Sequence, residues 1–224
     1  MVLSNKCLVL HFNLEMEVKD KKKHILESAE KLFAVKGFEA STVRDIADAA
    51  GVNLAMISYY FGSKEKMMES LFQERMANTK IKVQQLLNNE HIAPFGKVEI
   101  MLDDYIKKVI DNQPFYRILL CEQVMRKNPE IIKMLRELKL EYAAMFTELV
   151  KEGQRKKMFK KNVDVVLALN TMTGTVTQTI INKEHYSEFN KLEALDEDGF
   201  KNYLHKKLLD HLKNIFKTIL GYES

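Results

Sequence analysis

The chain has 224 residues, 46% of them hydrophobic, and a formal net charge of +4. That length suits one small domain plus one larger one, each with a packed core. The charge is not the field of a histone-like binder, and the first seventy residues are almost charge-balanced, so basicity alone does not mark a DNA surface.

The N-terminus holds a short apolar patch, Cys7 to Leu10, after Lys6 and before His11. It is too short for a transmembrane helix and is followed by no small-residue cleavage site. Residues 1–18 are expected to form an extension that is not part of the fold. Met16 begins a stretch that runs directly into the first helix, so residues 1–15 read as an upstream-start artefact or a loose tail. Lys19, Lys21, Lys22 and Lys23 lead into that helix. They read equally as a solvated face or as a set of backbone phosphate contacts.

Residues 42–66 carry the main functional signal. Val43, Ile46, Ala47 and Ala50 fall at helical spacing, with Thr42 where an N-cap belongs and Asp45 three residues on. Gly51 ends the helix, because the next backbone position needs a left-handed conformation. Asn53 can cap a second helix with Val52, Ile57 and Tyr60 or Phe61 inward. Ala47, then glycine four residues later, then Ile57 six after that, is the internal skeleton of a helix-turn-helix. Residues 19–66 are the expected DNA-binding domain.

The second helix faces outward with Leu54, Ala55, Ser58 and Tyr59, none of them charged. Alanine and leucine can meet thymine methyls, and serine and tyrosine can bond base edges or phosphates. Arg44 is the candidate for a bidentate guanine or phosphate contact. Ser41 and Thr42 are candidate hydroxyl donors to phosphates. Asn53, Met56 and Tyr60 complete the contact set, although Tyr60, like Phe61, also reads as core. Ser63 caps a third helix, and Lys64 at its positive end would share a phosphate with the free N–H groups there.

From Lys23 to Phe72 the chain resembles the DNA-binding domain of the TetR family of bacterial transcriptional regulators. The resemblance rests on Ile25, Ala29, Leu32 and Phe33, then Gly37–Phe38, Thr42, Ile46–Ala47, Gly51–Val52, and Tyr59-Tyr60-Phe61 followed by Lys64. It implies an all-α homodimer whose N-terminal domains bind a palindromic operator and whose C-terminal domain binds a small effector. Leu54-Ala55-Met56 departs from the glycine or polar residue with threonine common in the family, and Met56 stands where relatives often contact a base or phosphate. The resemblance therefore implies an operator unlike those of better-known relatives.

Residues 67–224 are the expected effector-binding and dimerisation domain, read as long helices. One runs from Lys64 toward Asn88. Pro94 starts the next, which Asn112-Gln113-Pro114 breaks. A shorter helix covers Phe115 to Lys127. Asn128-Pro129 opens another that ends at Gly153. A basic loop fills 153–162, and helices cover about Val163–Asn182 and Glu197–Leu220. This makes nine helices and no strand.

The middle helices supply the candidate effector pocket: Met101, Tyr105, Phe115, Tyr116, Leu119, Glu122, Met125, Tyr142, Met145, Phe146 and Met172. Methionine and aromatic residues suit an adaptable apolar cavity, and each is also an ordinary core residue. By analogy with the family, the last two helices form a four-helix dimer interface through Ala168, Thr171, Gly174, Thr175, Leu204, Leu208, Leu212, Ile215 and Ile219. The alternative is that they close the domain's own core.

Cys7 and Cys121 are far apart and without metal-like spacing, which fits a reducing cytoplasm rather than a disulfide scaffold. Cys121 reads as a buried filler. Among six histidines, His205 and His211 lie on different faces of a helix, so no metal pair follows. No nucleophile elbow, phosphate loop or paired carboxylate motif is present. The expected function is therefore not catalytic: a ligand-responsive regulator, by family default a repressor, that binds double-stranded DNA as a homodimer and is released by a small apolar or amphipathic effector. No cofactor, metal or membrane partner is expected. The competing reading is a small-molecule carrier of the same fold that has lost DNA binding.

Overall fold

The computed structural model describes residues 20–76 and 79–223, with backbone alone at 79 and 80. The expectations for residues 1–18, Lys19 included, lie outside the described residues. Every regular element among the described residues is a helix. They are α1 (20–36), α2 (Val43–Ala50), α3 (Leu54–Phe61), α4 (Lys64–Met76), α5 (Thr79–Leu87), α6 (Pro94–Asp111), α7 (Gln113–Met125), α8 (Pro129–Arg155), α9 (Val165–Ile181), α10 (Lys183–Phe189) and α11 (Glu197–Leu220). The expected count of nine falls short for two reasons. The span from Lys64 toward Asn88 is described as α4 and α5, and the link between α9 and α11 contains the seven-residue α10.

The chain forms two compact units, Met1–Met76 with Arg117–Ile131, and Ala77–Tyr116 with Ile132–Ser224. The first therefore runs ten residues past the expected boundary at 66 and takes in a later segment.

In the first unit, Ile25, Leu26, Ala29 and Phe33 of α1 are buried with Ile46, Ala47 and Ala50 of α2. Ile57 and Phe61 of α3 join them, as do Met67, Met68, Leu71 and Phe72 of α4. Short helices need help at their ends, because a nucleated turn is costly and its terminal groups are unpaired. Thr42 Oγ1 accepts the Asp45 N–H at 3.0 Å, and Asp45 Oδ2 accepts the Thr42 N–H at 2.9 Å and its hydroxyl at 2.8 Å. This is the reciprocal capping box expected from sequence. Gly51 takes φ 63° and sends its N–H back to the α2 carbonyls of Ala47 and Asp48. Asn53 Oδ1 accepts the Met56 N–H at 2.9 Å and caps α3, which begins at the next residue. The Glu30 carboxylate is buried on α1, and Arg75 of α4 satisfies it with Nε and Nη2 at 2.8 and 2.6 Å.

In the second unit, Leu204, Leu208, Leu212, Phe216 and Leu220 are buried along one stripe of α11. They share a core with Phe95, Val98, Leu102 and Ile106 of α6, Phe146, Leu149 and Val150 of α8, and Ala168, Met172 and Val176 of α9. Lys97 lies inside this unit at 1% exposure. Its Nζ donates to the Leu87 carbonyl at 2.7 Å and to Glu152 Oε2 at 2.8 Å, tying α5, α6 and α8 together. Burial pushes the Glu152 carboxyl up, but hydrogen bonds from Lys156 and Lys97 outweigh it and hold the group below its ordinary range. Helix α8 passes through Gly153 and stops at Arg155. Gly153 is the landing site of the Phe159 ring, and a Cβ there would overlap that ring. This accounts for the glycine and the phenylalanine six residues later.

Candidate nucleic-acid interface

Helix α3 presents a face without charge. Leu54, Ala55, Ser58 and Tyr59 are exposed, Met56 and Tyr60 are half-buried, and Ile57 and Phe61 point into the core. Tyr59 stands out at 82% exposure and packs edge-on against Tyr60 with ring centroids 5.2 Å apart. Tyr60 in turn meets Phe61 at 6.3 Å, so the exposed tyrosine stands on a ladder of rings that leads inward. A flat, amphipathic, low-entropy group of this kind suits contact with sugar and base edges. Arg44 is exposed in the first turn of α2.

Other expected contacts are placed differently. Ser41 is 1% exposed and its hydroxyl donates to the Gly37 carbonyl at 2.8 Å, so no phosphate can reach it. Thr42 is exposed, but its hydroxyl is taken by Asp45. The Thr42 bonds hold the Asp45 carboxyl below the ordinary aspartate range. Asn53 is occupied as the α3 cap. Ser63 caps α4 by accepting the Lys66 N–H at 3.1 Å. Lys64 points inward: its Nζ donates to the carbonyls of Phe38 and Ser41 at 2.8 and 3.0 Å. The shared phosphate expected at the start of α4 therefore loses its lysine and one of the N–H groups there. Phe38, named above only as part of the resemblance, lies beneath Lys64 with 4.2 Å from Nζ to its ring centroid. Only its place beside Gly37 hinted at a role.

The second unit sorts the effector candidates. Phe146 and Phe115 are core, and Met172 is buried with them. Tyr105 and Tyr116 meet edge-on at 6.1 Å, and burial, reinforced by Tyr116 at Tyr105 and by Tyr142 at Tyr116, pushes both hydroxyls above the usual phenol range. Met101 is half-buried against the same core, and Tyr142 and Met145 are also half-buried. In the first unit's later segment, Leu119 is half-buried, whereas Met125 is exposed and lines nothing inward. Glu122 is 7% exposed, whereas Cys121, expected as a buried filler, is exposed.

Neither of two cavities in the second unit is lined by the expected effector residues. One, of about 20 Å³, lies between Gln113, Lys183, Glu197 and Lys201 over Ile110 and Ile180, room for a single water. The other is an open groove of about 550 Å³ beside Thr179, His185, Tyr186 and Phe189.

The dimer candidates divide by helix. Leu204, Leu208 and Leu212 of α11, and Ala168 of α9, are fully committed to the protomer's own core. Spaced by four, they form the stripe that faces α6, while α11 turns Lys206, Lys207, Asp210 and His211 to solvent. Ile215 and Ile219 pack partly against that core. On α9, Gly174 is exposed and Thr171 and Thr175 are half-exposed. Beside them Val166 and Leu167 stand out, and the helix carries no charged residue.

Residues 25–71 match the family model described as bacterial regulatory proteins, tetR family. Over that segment the chain is similar to the DNA-binding part of TetR-family regulators. Over 61 residues it is 52% identical to the probable HTH-type transcriptional regulator YttP of Bacillus subtilis, a match spanning 27% of this chain and 28% of that protein. Over 156 residues it is 24% identical to the fatty acid metabolism regulator protein of Bacillus subtilis, spanning 70% of this chain and 79% of that one. The solved structure of the fatty acid degradation regulator FadR from Bacillus halodurans is similar at TM-score 0.61 and 26% identity, covering 84% of this chain and 94% of that one. The TetR-family likeness is thus dense in the helix-turn-helix and thin beyond it. No described helix is long and apolar enough to cross a membrane.

Proposed function

We propose that this protein is a repressor that binds a palindromic operator as a homodimer and leaves it when a small apolar or amphipathic molecule binds. The observation that carries the reading is the exposed, uncharged face of α3, with Tyr59 at its edge, on a helix started by the Asn53 side-chain cap. One such helix covers only a few base pairs, so specificity needs two, roughly 34–36 Å apart. Arg44, Leu54, Ala55, Met56, Ser58, Tyr59 and Tyr60 are the proposed DNA contacts. Residues 19–66 are proposed as the DNA-binding part and 67–224 as the part that binds effector and pairs protomers.

The uncharged outer face of α9 supports pairing of two copies there, through Thr171, Gly174 and Thr175. Tyr105, Tyr116 and Met101 are the proposed effector lining. The two relatives named for fatty acid metabolism and degradation support an acyl chain as effector. Control follows from a two-state equilibrium: the effector prefers a dimer geometry that no longer fits adjacent major grooves, and it lowers operator affinity by no more than that preference.

Selection of bound sequences from a random duplex pool tests the reading. An inverted repeat is expected, released from the protein by a long-chain fatty acid or its thioester. Folded dimer that recovers no motif overturns it in favour of a carrier of the same fold. Arg44→Ala and Tyr59→Ala should each weaken operator binding and leave the dimer intact.

A further inference from the structure

Lys64 is the last residue of the motif that carries the TetR-family resemblance, yet its charge is directed into the protein. The ammonium has three donors. Two of them go to the carbonyls of Phe38 and Ser41, and the cation sits 4.2 Å from the centre of the Phe38 ring, whose face attracts it. That ring is itself held by Phe33, at 5.3 Å between centroids.

The loop it grips has other ties, among them the Lys127 ammonium, which donates to Glu39 Oε1 at 2.9 Å. Gly37 takes φ 82°, which ends α1 and turns the chain out of helical geometry. The Gly37 carbonyl is taken by the Ser41 hydroxyl, and the Phe38 carbonyl also accepts the Ser41 N–H at 3.3 Å. Without Lys64 the Ser41 carbonyl loses the bond at 3.0 Å, one residue before the cap that starts α2.

We propose that Lys64 is a positioning residue for DNA binding: its ammonium clamps the 37–41 loop and so fixes where α2, with Arg44, begins. It is not a phosphate contact. The inference rests on reading 19–66 as the DNA-binding part. A clamp and a contact differ in measurable ways. A lysine that neutralises a phosphate releases counterions on binding, whereas a lysine bonded to backbone carbonyls before DNA arrives does so little or not at all. An arginine keeps the charge for a phosphate, but its planar fork does not replace a compact ammonium set between two carbonyls and a ring.

The experiment measures operator affinity against salt for wild type, Lys64→Met and Lys64→Arg, with amide hydrogen exchange of the free proteins. Expected for Lys64→Met is a loss of about tenfold in affinity with an unchanged salt slope. Lys64→Arg should not restore binding. Amides from 38 to 45 should exchange faster in both variants without DNA. A slope smaller by about 0.9 would overturn the proposal, since that is the signature of one lost phosphate contact. So would full affinity in either variant, or unchanged exchange in the loop. Should Lys64→Met fail to fold, Phe38→Leu removes the ring and leaves the lysine, with weaker binding at constant slope expected. The exchange measurement needs no DNA, so a wild-type protein that binds no operator refutes the DNA-binding reading without touching the clamp.

Discussion

The two units are built on different instructions. In the first, two helices of eight residues each are framed by side-chain caps at Thr42 and Asn53 and by the left-handed Gly51. In the second, helices of 27, 24 and 18 residues are held mainly by stripes of apolar side chains that meet in one core. Short helices must be specified locally, because their few turns cannot outweigh the cost of nucleation. Long helices leave that to packing. The contrast predicts where each unit breaks.

The largest effect should come from the second unit's core. Phe216→Ala removes a fully buried ring that packs edge-on against Phe146 at 6.1 Å. A loss of about 3–5 kcal/mol is expected by denaturant unfolding, while Arg44 and Tyr59 keep their places. An effect under about 1 kcal/mol would mean that this core is loosely packed.

Next comes a close approach that no stripe reveals. Gly153→Ala puts a methyl group into the Phe159 ring, and about 1–3 kcal/mol should be lost. Restoring stability with Phe159→Leu in the same chain would confirm that the two positions act as a pair.

The first unit should answer to caps instead. Thr42→Ala removes one half of a reciprocal box and should cost about 1 kcal/mol, with operator affinity falling alongside. A Thr42→Ser variant that behaves as wild type would place the effect in the hydroxyl.

The smallest effect is one of pH. The Asp45 carboxyl is held below its ordinary value by its bonds to Thr42, and is helped by Lys36 at 3.7 Å. A lowered folded pKa means the box is fully present above the unfolded aspartate value and is lost as pH falls through the folded one. Operator binding should therefore show no Asp45-dependent change between neutral and mildly acidic pH. A difference between wild type and Asp45→Asn that grows on going from pH 5 to pH 7 would break this expectation.

Much of the first unit was legible because its signals are local. Thr42, Asp45, Gly51 and Asn53 each lie within four residues of the group they serve. What escaped there was long-range: Lys64 bonds back across more than twenty residues, and nothing beside it in sequence says so. In the second unit the leucine spacing of α11 was plain, but spacing names a face and not its neighbour. The same stripe serves a dimer seam or a protomer core, and the packing of α6 decides for the core. Lys97 was missed for a related reason, since a lysine within an apolar stripe looks like a solvated residue until Glu152 and the Leu87 carbonyl arrive. Helix α10 is too short for a periodic signal.

The outer face of α9 has a practical consequence. The helix contains no ionisable side chain, so a partner seated on it meets no formal charge. If two copies pair there as proposed, dissociation from DNA and separation of the protomers respond to different reagents. Concentrated salt should strip the protein from nucleic acid and leave pairs whole, and detergent or mild denaturant should part the pairs. A purification that begins in high salt would yield DNA-free dimer in one step.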